Sequence, residues 1–277
     1  MRLTHDTQTR EVQLFLHDVF ASLPHEISIP IIAAARTENA WAILMYDVSL
    51  QLLSANQMLD EMQAHSLLEN LAAMHMHFWD DGALENPALG LSSLQDFLTI
   101  LSPSVVQREL ATGHTHPVLE MAARGWQQFN ATAPHDVQRL IHSLQQDHTA
   151  LRDKLEKMPQ TLVHGDFKLG NLGLMRGNST SLRTIVLDWQ DATRSAGVLD
   201  LGYFLALNAR WLPFPKETAI QIYTNVLESR GCSFSIHDVK LGCLAGGALR
   251  LLWLMVNNAQ PDLDWWYDLI RRAAASL

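Results

Sequence analysis

Two apolar runs that each end in a polar tip constrain this chain more than anything else in it. Thr161-Leu162-Val163 leads into His164-Gly165-Asp166, and Ile185-Val186-Leu187 leads into Asp188-Trp189. Hydrophobic runs of this length read as short buried strands. If the two strands lie side by side, Asp166, Asn171 and Asp188 converge at their ends. Two carboxylates and one amide oxygen are hard donors, and they suit Mg²⁺ bound together with a substrate phosphate. Taken alone, His-Gly-Asp also fits a chance polar turn between core strands.

Asn171 follows Asp166 by five residues, and a strand ending in Asp188 comes next. That order is the one found in protein-kinase catalytic and metal loops. Gly165 stands between His164 and Asp166, where protein kinases usually carry Arg. The ordered set, spread over roughly residues 11–207, resembles the aminoglycoside phosphotransferase and choline kinase-like superfamily of small-molecule kinases. The resemblance implies an α+β, protein-kinase-like two-lobe fold. Residues 1–48 would form an abbreviated small lobe of a helix plus a hairpin, and residues 49–277 a mostly helical large lobe.

The resemblance also implies a reaction: transfer of the ATP γ-phosphoryl group, with Mg²⁺, to a hydroxyl of a small molecule. In that reaction Asp166 would be the base and Asn171 and Asp188 the Mg²⁺ ligands. His164 and Asp200 would brace the catalytic loop, and Glu11 would fall at the helix glutamate. Tyr46, Asp47 and Val48 would form a hinge whose backbone groups bond adenine. Lys168, two residues after Asp166, would be a compact cation near the transferring phosphate. An ordinary solvated lysine is the other reading of that position.

Composition excludes several other classes. The chain has 277 residues, 48% of them hydrophobic, enough for a large core and one or two domains. Its net charge of -9 and the lack of a basic stripe with interleaved aromatics argue against a nucleic-acid partner. Two cysteines, Cys232 and Cys243, make no disulfide framework and fit a reducing cytoplasm. Residues 1–10 are polar with no signal-peptide core, and the apolar run at 251–256 is too short to span a bilayer. The sequons at Asn130 and Asn178 read as loop residues in a cytoplasmic chain.

Periodicity places the remaining elements. Thr9 can cap a helix carrying Val12, Phe15, Leu16, Val19 and Phe20, followed by strand-like runs at 27–32 and 41–46. A long helix over 58–79 shows an apolar stripe of Met58, Met62, Leu67, Leu68, Leu71, Met74 and Phe78. His75 on that stripe reads as a packed histidine with a polar partner. His75 and His77 point to different faces, against a shared metal. Several helices follow over 91–158, and the His114-Thr115-His116 stretch among them reads as a connecting loop. Residues 176–181 read as a turn between strands. Helices are expected over 215–229, 236–257 and 263–275. The last mixes carboxylates with Trp265, Trp266 and Tyr267, which reads as a packed helix with its acids in water.

One departure from the resemblance stands out. Kinases of this kind carry a glycine-rich turn over the phosphates and a lysine that pairs with them, both ahead of the helix. Here the first glycine is Gly82 and the first lysine Lys154. The expectation is a chain that lacks a piece its relatives have, or a degenerate member. A weak or inactive pseudokinase and a metal-dependent phosphohydrolase are therefore the rival functions.

Overall fold

A computed structural model describes residue 6 and residues 9–38, 40–113, 116–177 and 182–277. Asn39, His114, Thr115 and the part of the 176–181 turn from Asn178 onward, with its sequon, lie outside them. The described strands are β1 (Ile27–Ser28), β2 (Ile31–Arg36), β3 (Trp41–Met45), β4 (Thr161–Val163), β5 (Leu172–Arg176), β6 (Leu182–Val186) and β7 (Thr193–Ser195). They form three small sheets ordered β1-β6-β5, β2-β3 and β4-β7.

The N-terminal helix is shorter than its periodicity suggests. It runs Arg10–Leu16, and a second turn, Val19–Ser22, follows a left-handed Asp18 with φ 59°. The break turns Leu16 out to solvent, while Val12 and Leu14 stay buried. Thr9 does hold the N-cap position, but makes no side-chain cap bond. The Asp6 carboxylate takes the Arg10 N–H instead, at 3.0 and 3.1 Å. The strand-like run at 27–32 is also two strands. Pro30 has no N–H for a ladder, and around it the chain switches partners. β1 pairs parallel with β6, whereas β2 pairs antiparallel with β3.

The larger part is helical. Helix Glu61–His77 starts at a capping box in which Asp60 accepts the Gln63 N–H and Gln63 returns the bond. Leu67, Leu68, Leu71 and Met74 on it are fully buried, each contributing about 1.5–3 kcal/mol. Met58 and Met62 are not part of that face: they are 59% and 56% exposed, Met58 because it precedes the helix and Met62 because it lies on the outer side of its first turn. Helices Leu94–Thr99, Pro103–Ala111, Pro117–Thr132, His135–Gln146 and Thr149–Glu156 fill the middle of the chain. Lys216–Ser229 and Leu263–Ala274 come later. On the last, Trp266 and Tyr267 are buried, Asp264 and Asp268 are exposed, and Asp268 pairs with Arg271 at 3.0 Å. Cys232 and Cys243 are both free.

The stretch Ile236–Asn257 is long and apolar enough to cross a membrane, but 89% of its apolar window is buried inside the protein. It is a core helix of this protein. It contains a π-helical segment, Cys243–Ala248, before continuing as Leu249–Asn257. In that segment Gly246 lies against helix Val198–Asn208; a Cβ there would fall 2.0 Å from the Leu199 oxygen. The helix that carries Asp200 is held by this contact.

Candidate active site

The two key strands do not pair with each other. β4, which leads to Asp166, pairs antiparallel with β7, and β6, which leads to Asp188, lies between β1 and β5. Convergence comes from the chain between them. After Asp166 a single 3-10 turn, Leu169–Asn171, feeds β5, which runs antiparallel to β6 with Leu172 opposite Val186. The Leu187 N–H then donates to the Asn171 oxygen at 2.9 Å. Asn171 is thereby fixed next to Asp188.

Asp166, 7% exposed, is held on both carboxylate oxygens. Lys168 Nζ donates to Oδ2 at 2.6 Å and Asn171 Nδ2 to the same oxygen at 2.8 Å. Tyr203 OH donates to Oδ1 at 2.5 Å. Lys168 is therefore paired with Asp166, with 37% of its side chain exposed. Tyr203 was missed in the sequence. It lies three residues after Asp200 on the same helix face, which is the signal that could have found it. Its phenol is pushed well above its usual value by burial and then by the Asp166 charge, so it remains a donor.

Behind Asp166, His164 Nδ1 accepts the Asp166 N–H at 3.1 Å and Nε2 lies 3.0 Å from the Leu187 oxygen. A carbonyl can only accept, so the proton sits on Nε2. Asp200 braces the loop: Oδ2 accepts the His164 N–H at 2.7 Å and Oδ1 the Gly165 N–H at 2.8 Å. His75 is packed as its place on the stripe suggests, with Nε2 3.2 Å from Asp200 and Nδ1 2.7 Å from Tyr223 OH. Gly165 sits at φ +84°, and a Cβ there would fall 2.5 Å from the Asp191 oxygen. Only glycine fits this turn.

Asp188 is left-handed at φ 67°, an uncommon state for a residue with a side chain and one that clusters at functional sites. Burial and then the neighbouring Asp166 charge raise its pKa. Glu11 lies against the same loop. Its carboxyl is raised by burial and then by Asp188, and it accepts backbone N–H groups of Asp188 and Trp189. Arg10, also missed in the sequence, is buried beside it. It donates through Nε to the Gly90 oxygen at 2.6 Å and through Nη1 to the Gln190 oxygen.

These groups open into a cavity of about 470 Å³ that includes Asp166, Lys168, Asp188, Tyr203 and Asn208. Ile100, Leu101, Val118, Met121, Leu251 and Leu254 give it a largely apolar lining, with Asn56, Arg210, Arg250, Asn258 and Gln260 among its further polar groups. Tyr46, Asp47 and Val48 do not line it. They follow β3, with Tyr46 68% exposed and its N–H bonded to the Pro30 oxygen at 2.9 Å. Among the described residues no three His, Cys, Asp or Glu side chains are grouped to hold a metal ion. The hard donors here are Asp188 and the Asn171 amide oxygen, because Asn171 Nδ2 is turned toward Asp166.

The sequence matches the ecdysteroid kinase-like family over residues 11–229. The chain belongs to that family. Its fold is shared with small-molecule kinases at low identity. A Plasmodium vivax ethanolamine kinase superposes with TM-score 0.53 at 13% identity, covering 98% of this chain and 72% of that one. A Cryptosporidium parvum choline kinase gives 0.51 at 11% identity, covering 98% and 77%. Choline kinase LicA of Streptococcus pneumoniae, in complex with AMP, gives 0.50 at 15% identity, covering 97% and 78%. No curated protein matches the chain in sequence. The family and these neighbours establish a protein-kinase-like fold of the small-molecule kinase type.

Proposed function

We propose that this ecdysteroid kinase-like protein transfers the γ-phosphoryl group of ATP to a hydroxyl of a small, largely apolar alcohol, with Mg²⁺. The observation that carries the reading is the Asp166 carboxylate, fixed by Lys168, Asn171 and Tyr203 beside Asp188 at one end of the cavity. Asn171 and Asp188 fit Mg²⁺ in donor type, and the charge that Asp166 imposes on Asp188 is what a cation would relieve. Bound there, the ion would neutralise nucleotide phosphate oxygens. Two protein donors are too few for a dedicated cage, which favours binding together with nucleotide.

Asp166 is the group that orients the acceptor hydroxyl and takes its proton. Lys168, 2.6 Å from it and partly exposed, stands where charge develops on the transferring phosphoryl group. Most of the rate then comes from positioning and electrostatics. Adenine contacts fall to the backbone of Asp47 and Val48, since the Tyr46 N–H is used within the hairpin.

The cavity wall supports an acceptor without a cationic group. Of the acids that line it, Asp166 is bonded to Lys168, Asp191 is paired with Arg250 at 2.9 Å, and Asp188 is assigned to the metal. None is left to hold an ammonium. Incubating the protein with Mg·ATP and a panel of apolar and aminated alcohols tests the reading. Phosphate esters should form from the apolar members.

A further inference from the structure

Arg250 is 3% exposed and stands in the apolar run Leu249-Arg250-Leu251-Leu252. A buried guanidinium is unfavourable unless charge and hydrogen bonds satisfy it, and a leucine or methionine would fill the core without that demand. Its partners are not general core groups. Nη1 donates to the Gly165 oxygen at 2.5 Å, in the residue before the base. Nη2 donates to Asp191 Oδ2 at 2.9 Å, three residues after Asp188. The guanidinium lies 4.1 Å from the Phe97 ring centre and 4.8 Å from that of Tyr203, whose hydroxyl holds Asp166.

One side chain therefore touches the catalytic loop, the metal loop and the tyrosine that orients the base. Its helix also supplies Leu251 and Leu254 to the acceptor wall. The π-helical segment Cys243–Ala248 ends one residue before this helix begins. An i→i+5 turn shifts the phase of the helix beyond it, and so sets the face on which Arg250 emerges.

We propose that Arg250 is a positioning residue for phosphoryl transfer, holding the base loop and the metal loop in register with each other and with the acceptor wall. The proposal rests on the kinase reading for its catalytic consequence, though not for the bracing itself. Arg suits the task because its planar fork serves two acceptors at fixed angles while its faces stack on rings. A purely structural role would instead make the Arg250–Asp191 pair replaceable by apolar residues of similar volume.

The test compares wild type with Arg250→Met/Asp191→Leu and with Arg250→Lys. Removing both charges together avoids leaving Asp191 buried without its partner, and Arg250→Lys keeps the charge but loses the fork. Two readouts are taken on each protein: hydrogen exchange of the amides at 164–171 and 188–192, and ADP formation from Mg·ATP in the presence of the apolar alcohol panel. We expect both variants to melt within a few degrees of wild type. Their loop amides should exchange at least ten-fold faster while those of helix Glu61–His77 are unchanged. kcat should fall roughly 10–100-fold with KM for ATP within about three-fold. Loop exchange and kcat both at wild-type level in whichever variant folds would overturn the proposal. If wild type itself makes no ADP, the kinase reading fails, and the exchange data still decide whether Arg250 braces the two loops.

Discussion

Asn171 donates through Nδ2 to Asp166 twice, to its backbone oxygen at 3.0 Å and to its Oδ2 at 2.8 Å. The contact fixes which end of the amide faces which neighbour. The nitrogen is turned to the base, so the oxygen is the end available to a cation. Asp166 and Asn171 are thus oriented by each other.

Asp166→Ala should lower kcat for phosphoryl transfer by roughly 10²–10⁴-fold. Steady-state kinetics at saturating Mg·ATP provide the check. Turnover within a few-fold of wild type would remove Asp166 from the role of base.

Asp188 carries its charge at a cost in the folded state. Burial and then the Asp166 charge raise its pKa above the usual carboxylate value, so the folded state binds its proton more tightly than the unfolded state does. Such a group lowers stability as pH rises from the ordinary carboxylate pKa through the raised one. Asp188→Asn should therefore stabilise the protein at neutral pH without nucleotide or metal, and the gain should fade toward pH 4. The same variant should lose the extra Mg²⁺ binding that ADP confers on wild type. Melting curves against pH and metal titrations with and without ADP would show both effects; a destabilised Asp188→Asn at pH 7 would contradict the first.

Gly165→Ala tests the turn itself. A left-handed backbone costs a residue with a side chain about 1–2 kcal/mol, and the added Cβ would meet the Asp191 oxygen at 2.5 Å. Lower thermal stability and loss of activity are expected together. An active, equally stable Gly165→Ala would mean that the turn adopts another conformation in solution.

Asp200→Ala should destabilise the fold by about 3 kcal/mol or more. It strips acceptors from the His164 and Gly165 N–H groups and from His75, all buried. Denaturant unfolding measures it, and a change under about 1 kcal/mol would show that water replaces the carboxylate.

The parts of this site legible in the sequence are those whose chemistry is local. Asp166, Lys168 and Asn171 lie within one loop, and Asp188 ends the next strand but one, so spacing alone groups them. Asp200 opens a helix close behind. The fold class was readable for the same reason, although the pairing of β4 with β7 was not, because apolar strands do not announce their neighbours. Arg250 and Arg10 act across 85 and 180 residues, on the Gly165 and Gln190 oxygens. Backbone oxygens carry no sequence signature. A single arginine inside Leu249-Arg250-Leu251-Leu252 was the available hint, since a buried charge demands a partner. The exposed Met58 misled in the opposite direction, by extending an apolar period past the Asp60 cap, and Met62 by matching that period on a solvent-facing first turn.

The most direct measurement of the central claim follows the γ-phosphate. The protein is incubated with γ-labelled ATP, Mg²⁺ and an apolar alcohol, and labelled products are separated. The proposed function predicts label in a phosphate ester of the alcohol, abolished by Asp166→Ala. Label released only as inorganic phosphate, at a rate the alcohol does not change, would instead make this a phosphohydrolase. No label transfer at all, from protein shown to bind Mg·ATP, would leave a fold that binds nucleotide without the chemistry. Either result contradicts the account.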